Sequence, residues 1–416
     1  MPASPSTARA INDRLALRLL QNEGPLTAGQ LKQLTGLSRP TVADLVERLT
    51  AAGLIELAGE TGEQRRGPNA KLYAIVAGRA QLAALDVRTE GVAVLVSDLV
   101  GRVLAEASVP IGGDLGTGPA VEQAVTLVER TAKEAGADRL HTVGIGAPGL
   151  IDPVSGELHD SSGLPEWHRR LVAGLQERFP RARVSVENET NLAALAEQRE
   201  GVARDRDTFV LLWLGHGTGA AVVLDGALRR GASGGTGEIG FLPVPGTGGL
   251  PSATDCEGGF HSLAGSAAIT ALAYEHGLAA LPATPATPDE PMAAALVREA
   301  VRRYGAGETG ETGEVGEAGE AGGPADRFLD VLADRIALGA ASVVAVLDPG
   351  CVVLGGEVGQ AGGPELAVRV GERLRRTAPL PTEVRPSGLG GGAVLRGALL
   401  TARESAQEEL FGVRRP

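Results

Sequence analysis

The sequence predicts an α/β body preceded by a small domain of three helices and a β-hairpin. Short amphipathic helices followed by two strands fill residues 1–79, whereas residues 80–416 alternate strands with crossover helices, which favours a parallel sheet. The charge divides at the same place. Residues 1–79 hold ten basic and seven acidic residues, a net charge of +3, so the other 337 residues carry −15 of the total of −12. A basic head on an acidic body suits a protein that contacts phosphates with one end only.

Length and composition limit the possible classes of protein. A chain of 416 residues is long for one domain and fits two or three compact units. No apolar run approaches the roughly 20 residues of a membrane span, and the first residues lack the pattern of a signal peptide. Two cysteines, Cys256 and Cys351, provide neither a disulfide framework nor an obvious metal cage. We therefore expect a cytoplasmic protein with no membrane partner, no bound metal and no cofactor.

Two helices are predicted before residue 37. Helical spacing of apolar residues over 11–20 indicates a first helix with a buried stripe, which ends near Gly24; its members are Ile11, Leu15, Leu19 and Leu20. Thr27 and Gln30 form a capping box that begins a second helix, with Leu31 and Leu34 as its buried stripe.

A third helix is predicted from Ser38, which serves as its N-cap. One apolar face of this helix carries Val42, Leu45, Val46 and Leu49. The opposite face and the first turn are polar, with Arg39, Thr41, Asp44 and Arg48. Two short helices joined by a glycine-containing turn, the second with a polar leading end, are typical of a helix-turn-helix.

The hairpin that follows gives the head a basic wing. Strands over 54–57 and 71–75 flank a loop that contains Arg65 and Arg66 before Gly67-Pro68. Adjacent arginines on a thin, bent loop suit contact with DNA phosphates or the minor groove. The head is therefore predicted to be a winged helix-turn-helix. We expect base edges to be contacted by four residues of this helix and its cap: Ser38, Arg39, Thr41 and Asp44. Arg48 would contact a phosphate, and Arg65 and Arg66 in the wing would contact phosphates or the minor groove. A helical protein-interaction module with solvated arginines is the alternative.

Five glycine-containing motifs follow one another in the body. They start at Val143, Val186, Leu214, Gly231 and Leu347 and read VGIGAPGLID, VENETNLAALAE, LGHGTG, GASGGTGEIG and LDPGCVVLGG. In this order they resemble the ROK family (repressors, open reading frames and sugar kinases) of the actin-like ATPase superfamily, over about Leu82 to the C-terminus. The winged head matches the repressor branch of that family.

The resemblance implies a two-lobe actin-like ATPase (ribonuclease H-like) fold with ligands in the cleft between the lobes. We expect a head at 1–79 and lobes at 80–185 and 186–416, with the C-terminal helix returning to the first lobe. A linker is predicted near 279–291 and a disordered acidic loop at 305–323. The positions that match the sugar-binding set of the family are Asn188, Glu189 and Glu238.

The phosphate-binding loops of the kinases look degenerate here. The family's Asp-x-Gly-Gly-Thr corresponds to Asp86-Val87-Arg88-Thr89-Glu90, which replaces both glycines and places a carboxylate where an anionic nucleotide would lie. The second loop, with Gly215, Gly217 and Gly219, survives and is interpreted as a tight hairpin. Glu189 stands where the family has its catalytic aspartate. One added methylene misplaces the carboxylate by more than the ~1 Å that costs about a hundredfold in rate, so no catalytic residue is assigned.

The sugar and zinc environment differs from the family pattern too. Phe241 replaces a histidine after Gly-Glu-Ile-Gly, and Phe260 stands near the position of a sugar-binding glutamate. Only Cys256 and His261 remain in the stretch of the zinc loop, too few for a four-coordinate site. Residues 161–164 lack the expected asparagine. A ligand need not be an ordinary hexose.

These observations predict a DNA-binding transcriptional regulator, a repressor of carbohydrate-related genes. It would bind double-stranded operator DNA as a homodimer or homotetramer and respond to a sugar or sugar-phosphate effector. Two other classes stay open. One is an active ATP-dependent sugar kinase with an accessory DNA-binding head, and the other is a scaffold whose head binds protein.

Overall fold

The computed structural model describes residues 5–60, 70–89, 91–158, 164–252, 254–278, 283–287, 290–306 and 322–411. They form three sheets, and each sheet takes its strands from one continuous part of the chain. Much of the predicted linker and most of the predicted acidic loop lie outside the described residues, as do Arg65, Arg66, Glu90 and residues 159–163.

In its described residues, the head contains three helices and a three-stranded sheet whose middle strand comes last in the sequence. Its elements are α1 (Pro5–Glu23), β1 (Leu26–Thr27), α2 (Ala28–Thr35), α3 (Arg39–Ala51), β2 (Ile55–Glu60) and β3 (Lys71–Ile75). Gly36 ends α2 in the left-handed conformation, at φ 69°, which an L side chain adopts only with strain. Helix order, turn and hairpin make this a winged helix-turn-helix, as predicted.

The capping box at the start of α2 is present as predicted. The amide of Gln30 donates to the Thr27 Oγ1 at 3.2 Å, and the amide of Thr27 donates to the Gln30 Oε1 at 2.9 Å. We expect Thr27→Ala to destabilise α2 by about 1 kcal/mol. Hydrogen exchange of the α2 amides should then be roughly fivefold faster. Thr50→Ala, on the exposed side of α3, is the control, and equal exchange in both variants would contradict a role for the cap.

The predicted buried stripes of the first two helices were wrong in part. Ile11 is 59% exposed and Leu34 50% exposed, and Leu15 also faces solvent. Helix α1 buries Leu20, as predicted, together with Ala16 and Leu17, which the predicted stripe did not include. Apolar residues stand at most positions from 15 to 20, so helical periodicity fits several faces. Packing against α3 and the body selects among them.

The described residues of the body form two five-stranded sheets with the same topology. In each, three antiparallel strands are followed by two parallel ones, giving orders β6-β5-β4-β7-β8 and β11-β10-β9-β12-β13. The first sheet has β4 (Gln81–Arg88), β5 (Gly91–Asp98), β6 (Val103–Pro110), β7 (Leu140–Ala147) and β8 (Arg183–Asn188). The second has β9 (Phe209–Leu214), β10 (Thr218–Leu224), β11 (Ala227–Arg229), β12 (Cys351–Gly355) and β13 (Glu383–Pro386).

Helices cover both faces of these sheets. Helices α4 and α5 pack on one face of the first sheet, and α8 to α11 pack on the second sheet around Phe260 and Phe328. The helices are α4 (Thr117–Glu134), α5 (Glu166–Arg178), α6 (Glu189–Arg199), α7 (His261–Ala264), α8 (Ser266–Glu275), α9 (Met292–Ala306), α10 (Pro324–Leu347), α11 (Gly356–Thr377) and α12 (Ala393–Phe411). No helix in these described segments combines the length and apolarity needed to cross a bilayer.

The last helix, α12, joins the head to the rest of the body. One part of it packs on β4, β7 and α6, and its far end shares an apolar cluster with α1. The Gln407 side-chain amide donates to the Gln21 side-chain oxygen at 2.8 Å, and Gln21 donates to the Val100 carbonyl at 3.1 Å. The head is therefore packed against the body by buried contacts as well as by the covalent link.

Candidate functional site

The leading turn of α3 presents polar groups outward. Ser38 caps this helix, with its Oγ 2.8 Å from the Thr41 Oγ1. The next side chain, Arg39, is exposed, and no side chain among the described residues bonds to its guanidinium. The apolar side of α3, including Leu45 and Leu49, is buried in the head. A cationic donor at the exposed leading end of a helix matches the way such helices enter a DNA groove.

Arg48 is engaged within the head. Its guanidinium contacts Asp13 of α1 at 2.6 Å and pairs with Asp44 one turn earlier in α3. The hydrogen bond to Asp13 leads the effects that raise the Arg48 pKa. The pair of Arg48 with Asp13 links α3 to α1, whereas the pair with Asp44 lies within α3. The sequence analysis predicted a phosphate contact for Arg48 and a base contact for Asp44. Either contact would require the ion pairs of Arg48 with Asp13 and Asp44 to rearrange.

The wing is described only at its base. Strands β2 and β3 pair antiparallel, with a register shift between Leu57 and Gly59. Arg65 and Arg66 lie outside the described residues, so their DNA contacts stay a prediction.

The predicted ligand residues meet where β8 ends and α6 begins. Asn188 caps α6, since its Oδ1 accepts from the amides of Thr190 (2.9 Å) and Asn191 (3.3 Å). Its Nδ2 donates to the Gly149 carbonyl at 3.1 Å and to the Glu189 Oε2 at 2.9 Å. The side chain is thus fixed before any ligand arrives. Ligands of open α/β sheets bind at such carboxyl ends of strands.

Glu189 lies in an acidic environment. Burial raises the pKa of its carboxyl to about 8, and the nearby carboxylates of Glu238, Asp86 and Glu357 add to the effect. At neutral pH this carboxyl is therefore largely protonated. A neutral carboxyl can both donate to and accept from a ligand hydroxyl.

Two more carboxyls besides Asp86 lie near Glu189 among the described residues, and the region around these four groups is called the cleft. Desolvation raises the pKa of Glu238, which lies just before the short 3₁₀ turn Ile239–Phe241, and burial raises that of Glu357 at the start of α11. The sequence analysis did not single out Glu357. Its only signal was an acidic residue directly after the Gly-Gly pair of the last motif.

Arg88 occupies the place predicted for the first phosphate loop. Its Nε and Nη2 donate to the Asp86 Oδ2 at 3.0 and 2.8 Å, and Nη2 also reaches the Gly391 carbonyl at 3.3 Å. The ring Nε2 of buried His168 lies 3.2 Å from the Arg88 carbonyl, and burial lowers the His168 pKa to about 4. Side chains of this protein thus fill the region where glycines would leave room for phosphates.

The second phosphate loop is a tight hairpin between β9 and β10. Leu214 pairs with Thr218, and the Gly215 amide donates to the Gly217 carbonyl at 3.0 Å. A Cβ at Gly215 would lie 2.5 Å from a carboxylate oxygen of Glu357. A side chain at 215 would therefore displace the ends of the Glu357 and Trp213 side chains. Gly219, on β10, lies near Thr190 of α6.

The altered sugar and zinc positions do not add ligand groups. Phe260 is fully buried in the core of the second sheet, and Phe241 is 38% exposed. Among the described residues, no three His, Cys, Asp or Glu side chains come together in a way that could hold a metal ion. Cys256 and His261 therefore do not fit a zinc site, and we derive no metal chemistry from them.

The sequence analysis also missed an ion pair beside Asn188. Arg230 contacts the Glu187 Oε2 at 2.6 Å, and Glu187 is only 7% exposed. Glu187 belongs to the motif that starts at Val186, but its partner is 43 residues away and could be found only in the fold.

Two family models match the chain in separate regions. The ROK family model matches residues 83–405, and a MarR family model matches residues 11–67. The chain belongs to the ROK family. Its sheets, helices and winged head agree with the predicted two-lobe, actin-like fold.

The N-acetylglucosamine repressor of Escherichia coli O6:H1 is 27% identical to this ROK protein over 244 residues. That region is 57% of this chain and 58% of the relative, so the match spans less than two thirds of the relative.

Solved structures of the family align over longer stretches. A ROK family transcriptional regulator, described as a homologue of the E. coli MLC protein, aligns with a TM-score of 0.73 and 21% identity, covering 97% of this chain and 98% of that one. The ROK hexokinase of Thermus thermophilus aligns with a TM-score of 0.58 and 29% identity, covering 79% of this chain and 99% of the hexokinase. The alignment with the hexokinase includes about as many residues as the body contains, whereas the alignment with the regulator includes nearly the whole chain.

Proposed function

We propose that this ROK protein is a DNA-binding transcriptional regulator, a repressor of carbohydrate-related genes. The observation that carries the proposal is the outward-facing leading turn of α3 on a MarR-type head, where the Arg39 guanidinium bonds to no side chain among the described residues. The similarity to a protein named as an N-acetylglucosamine repressor supports both the repressor role and the link to carbohydrate. The protein would lie in the cytoplasm with its operator DNA.

The proposed effector is a sugar or sugar phosphate bound in the cleft by Asn188, Glu189 and Glu238. Carboxyl and carboxamide groups bond hydroxyls of a polyol from two directions. Four carboxyls around the cleft disfavour a highly charged anion, so an unphosphorylated sugar is the better fit there. Sugar binding would change the affinity for operator DNA only if the sugar binds one arrangement of the lobes more tightly than another.

We infer that the protein is not a sugar kinase, although the family includes kinases. Phosphoryl transfer needs room for the nucleotide phosphates and groups that stabilise their charge. Arg88 and Asp86 fill that region, and Glu357 adds a carboxylate beside the Gly215 hairpin. No sugar-dependent consumption of ATP is expected.

We propose a homodimer or homotetramer that places two heads on a palindromic operator, about one helical turn between half-site centres. The divisions 1–79, 80–185 and 186–416 remain our proposal for its domains.

The test is a gel shift with the full chain on the DNA upstream of its own gene. We expect a sequence-selective shift at low salt that an unlabelled operator competes away and that an added sugar changes. Folded protein that binds the operator no better than unrelated DNA would overturn the proposal. Turnover of ATP on addition of a sugar would overturn the non-kinase assignment.

A further inference from the structure

A cavity of about 250 Å³ lies beside the last helix, α12. None of Asp86, Asn188, Glu189, Glu238 and Glu357 lines it. Its walls come from β7, the loop after it, β8, α6, α12 and the residue that follows β11. At this strand end Glu187 lines the cavity, whereas the next residue, Asn188, bonds to Glu189 and does not line it.

A fixed ion pair forms the polar end of the cavity. The Glu187 Oε1 accepts from the Asn188 amide (3.0 Å) and the Asn191 Nδ2 (2.9 Å), and its Oε2 accepts from the Arg230 Nε at 2.6 Å. Both carboxylate oxygens are thus engaged, and Glu187 holds the guanidinium by one edge. Within the described part of the chain, the Arg230 Nη atoms bond to no protein group, and the side chain is 45% exposed. They form a pre-oriented donor fork at the cavity.

The other walls combine apolar surface with hydroxyls. Ile145, Leu192 and Ala398 contribute the apolar part, and Ser185 and Thr401 add hydroxyl groups. The Thr401 hydroxyl donates to the Gly397 carbonyl at 3.0 Å, which leaves its oxygen to accept from a ligand. Apolar walls suit the C–H face of a ring, and donors at one end suit its oxygens.

Size and charge restrict the ligand further. At roughly 30 Å³ per water, the cavity corresponds to about eight waters, below the ~300 Å³ at which pockets for drug-sized ligands begin. Glu187 and Arg230 cancel in charge, and Asp152, which also lines the cavity, adds a negative one. Its Oδ1 accepts from the amides of Val154 (2.8 Å) and Ser155 (2.7 Å), so it is held in place. A dianionic phosphate is therefore disfavoured.

We propose that this cavity is a second small-molecule site, separate from the cleft, for a neutral polyol of monosaccharide size recognised through the Arg230 fork. Arg230 follows the second sheet, whereas the other walls belong mainly to the first sheet and α12. A ligand here contacts both halves of the body. Since α12 also packs on α1 of the head, an occupied cavity restrains the helix on which the head rests.

Isothermal titration of the full chain with glucose, xylose, N-acetylglucosamine and glucose 6-phosphate tests the site. Arg230→Lys keeps the charge beside Glu187 but removes the fork. We expect at least one neutral sugar to bind and to lose about tenfold or more in affinity in Arg230→Lys, because charge-assisted hydrogen bonds from the fork are stronger than bonds between neutral groups. The 6-phosphate of glucose should bind no more tightly than glucose.

Two further variants separate this site from the cleft. Arg229→Lys is the matched control, since the bonds of Arg229 to described residues stay within its own hairpin, to the Leu224 carbonyl and Asp225. Glu238→Ala changes the cleft alone and should leave the Arg230-dependent binding intact. The second site would be overturned if Glu238→Ala abolished all sugar binding while Arg230→Lys bound sugar as tightly as the wild type. It would also be overturned if no neutral sugar bound the protein. Because Arg230→Lys without sugar should shift operator DNA like the wild type, either result leaves the proposed regulatory function separately testable.

Discussion

Replacing Arg39 by alanine is expected to weaken operator binding by about ten- to a hundredfold, because a well-placed arginine contact to a base edge contributes about 1–3 kcal/mol of discrimination. Arg39 is exposed at the leading turn of α3, and its removal breaks no bond among the described residues. The fold should therefore be unchanged. Fluorescence anisotropy with the operator and with a scrambled duplex, over a series of salt concentrations, measures the effect.

The salt series also distinguishes two roles for Arg39. A base contact lowers affinity for the operator more than for the scrambled duplex, whereas a phosphate contact lowers both and reduces the salt slope by about one. Arg376→Ala removes one exposed positive charge at the end of α11, far along the chain from the head, and should leave binding unchanged. If Arg39→Ala and Arg376→Ala bind the operator with equal affinity, Arg39 makes no DNA contact and α3 is excluded as the recognition helix.

The sequence was most informative about local structure in the head. Thr27 with Gln30 and Ser38 with Thr41 act through bonds between residues three apart, so their caps could be read without the fold. The face of α1 could not be read this way. Ile11 and Leu15 share a helical face with Leu19, but burial of α1 is set by contacts with α3 and α12, which are distant in sequence.

In the body, motif order indicated the family and the two-lobe fold, but not the contacts that define the site. Asn188, Glu189 and Glu238 were identified from motifs, and Glu238 is one of the carboxylates that raise the pKa of Glu189. The links from Arg88 to Gly391 and from Glu187 to Arg230 join residues 303 and 43 positions apart. Spacing in the sequence carries no signal for such pairs, because they form only when separate elements fold together.

The raised pKa of Glu189 has a direct consequence for stability. In the unfolded chain its carboxyl loses the proton near pH 4.5, whereas in the folded protein it does so near pH 8. Between these values the folded state holds more protons than the unfolded state, so the free energy of unfolding falls as the pH rises. Below pH 4.5 the Glu189 carboxyl is protonated in both states and does not lower the free energy of unfolding. Above pH 8 it is ionised in both states, and its destabilising effect has reached its full value.

Glu189→Gln should remove this penalty, because glutamine has a similar shape and no ionisable group. At about 1.36 kcal/mol per pKa unit, the variant should gain on the order of 5 kcal/mol relative to wild type between about pH 4.5 and pH 8. Urea unfolding of both proteins across this range measures the difference. Glu409→Gln, exposed on α12, is the control and should follow the wild type. A constant difference between Glu189→Gln and wild type across the range would mean that Glu189 is already ionised in the folded cleft, and the protonated carboxyl proposed to meet a sugar hydroxyl would have to be abandoned.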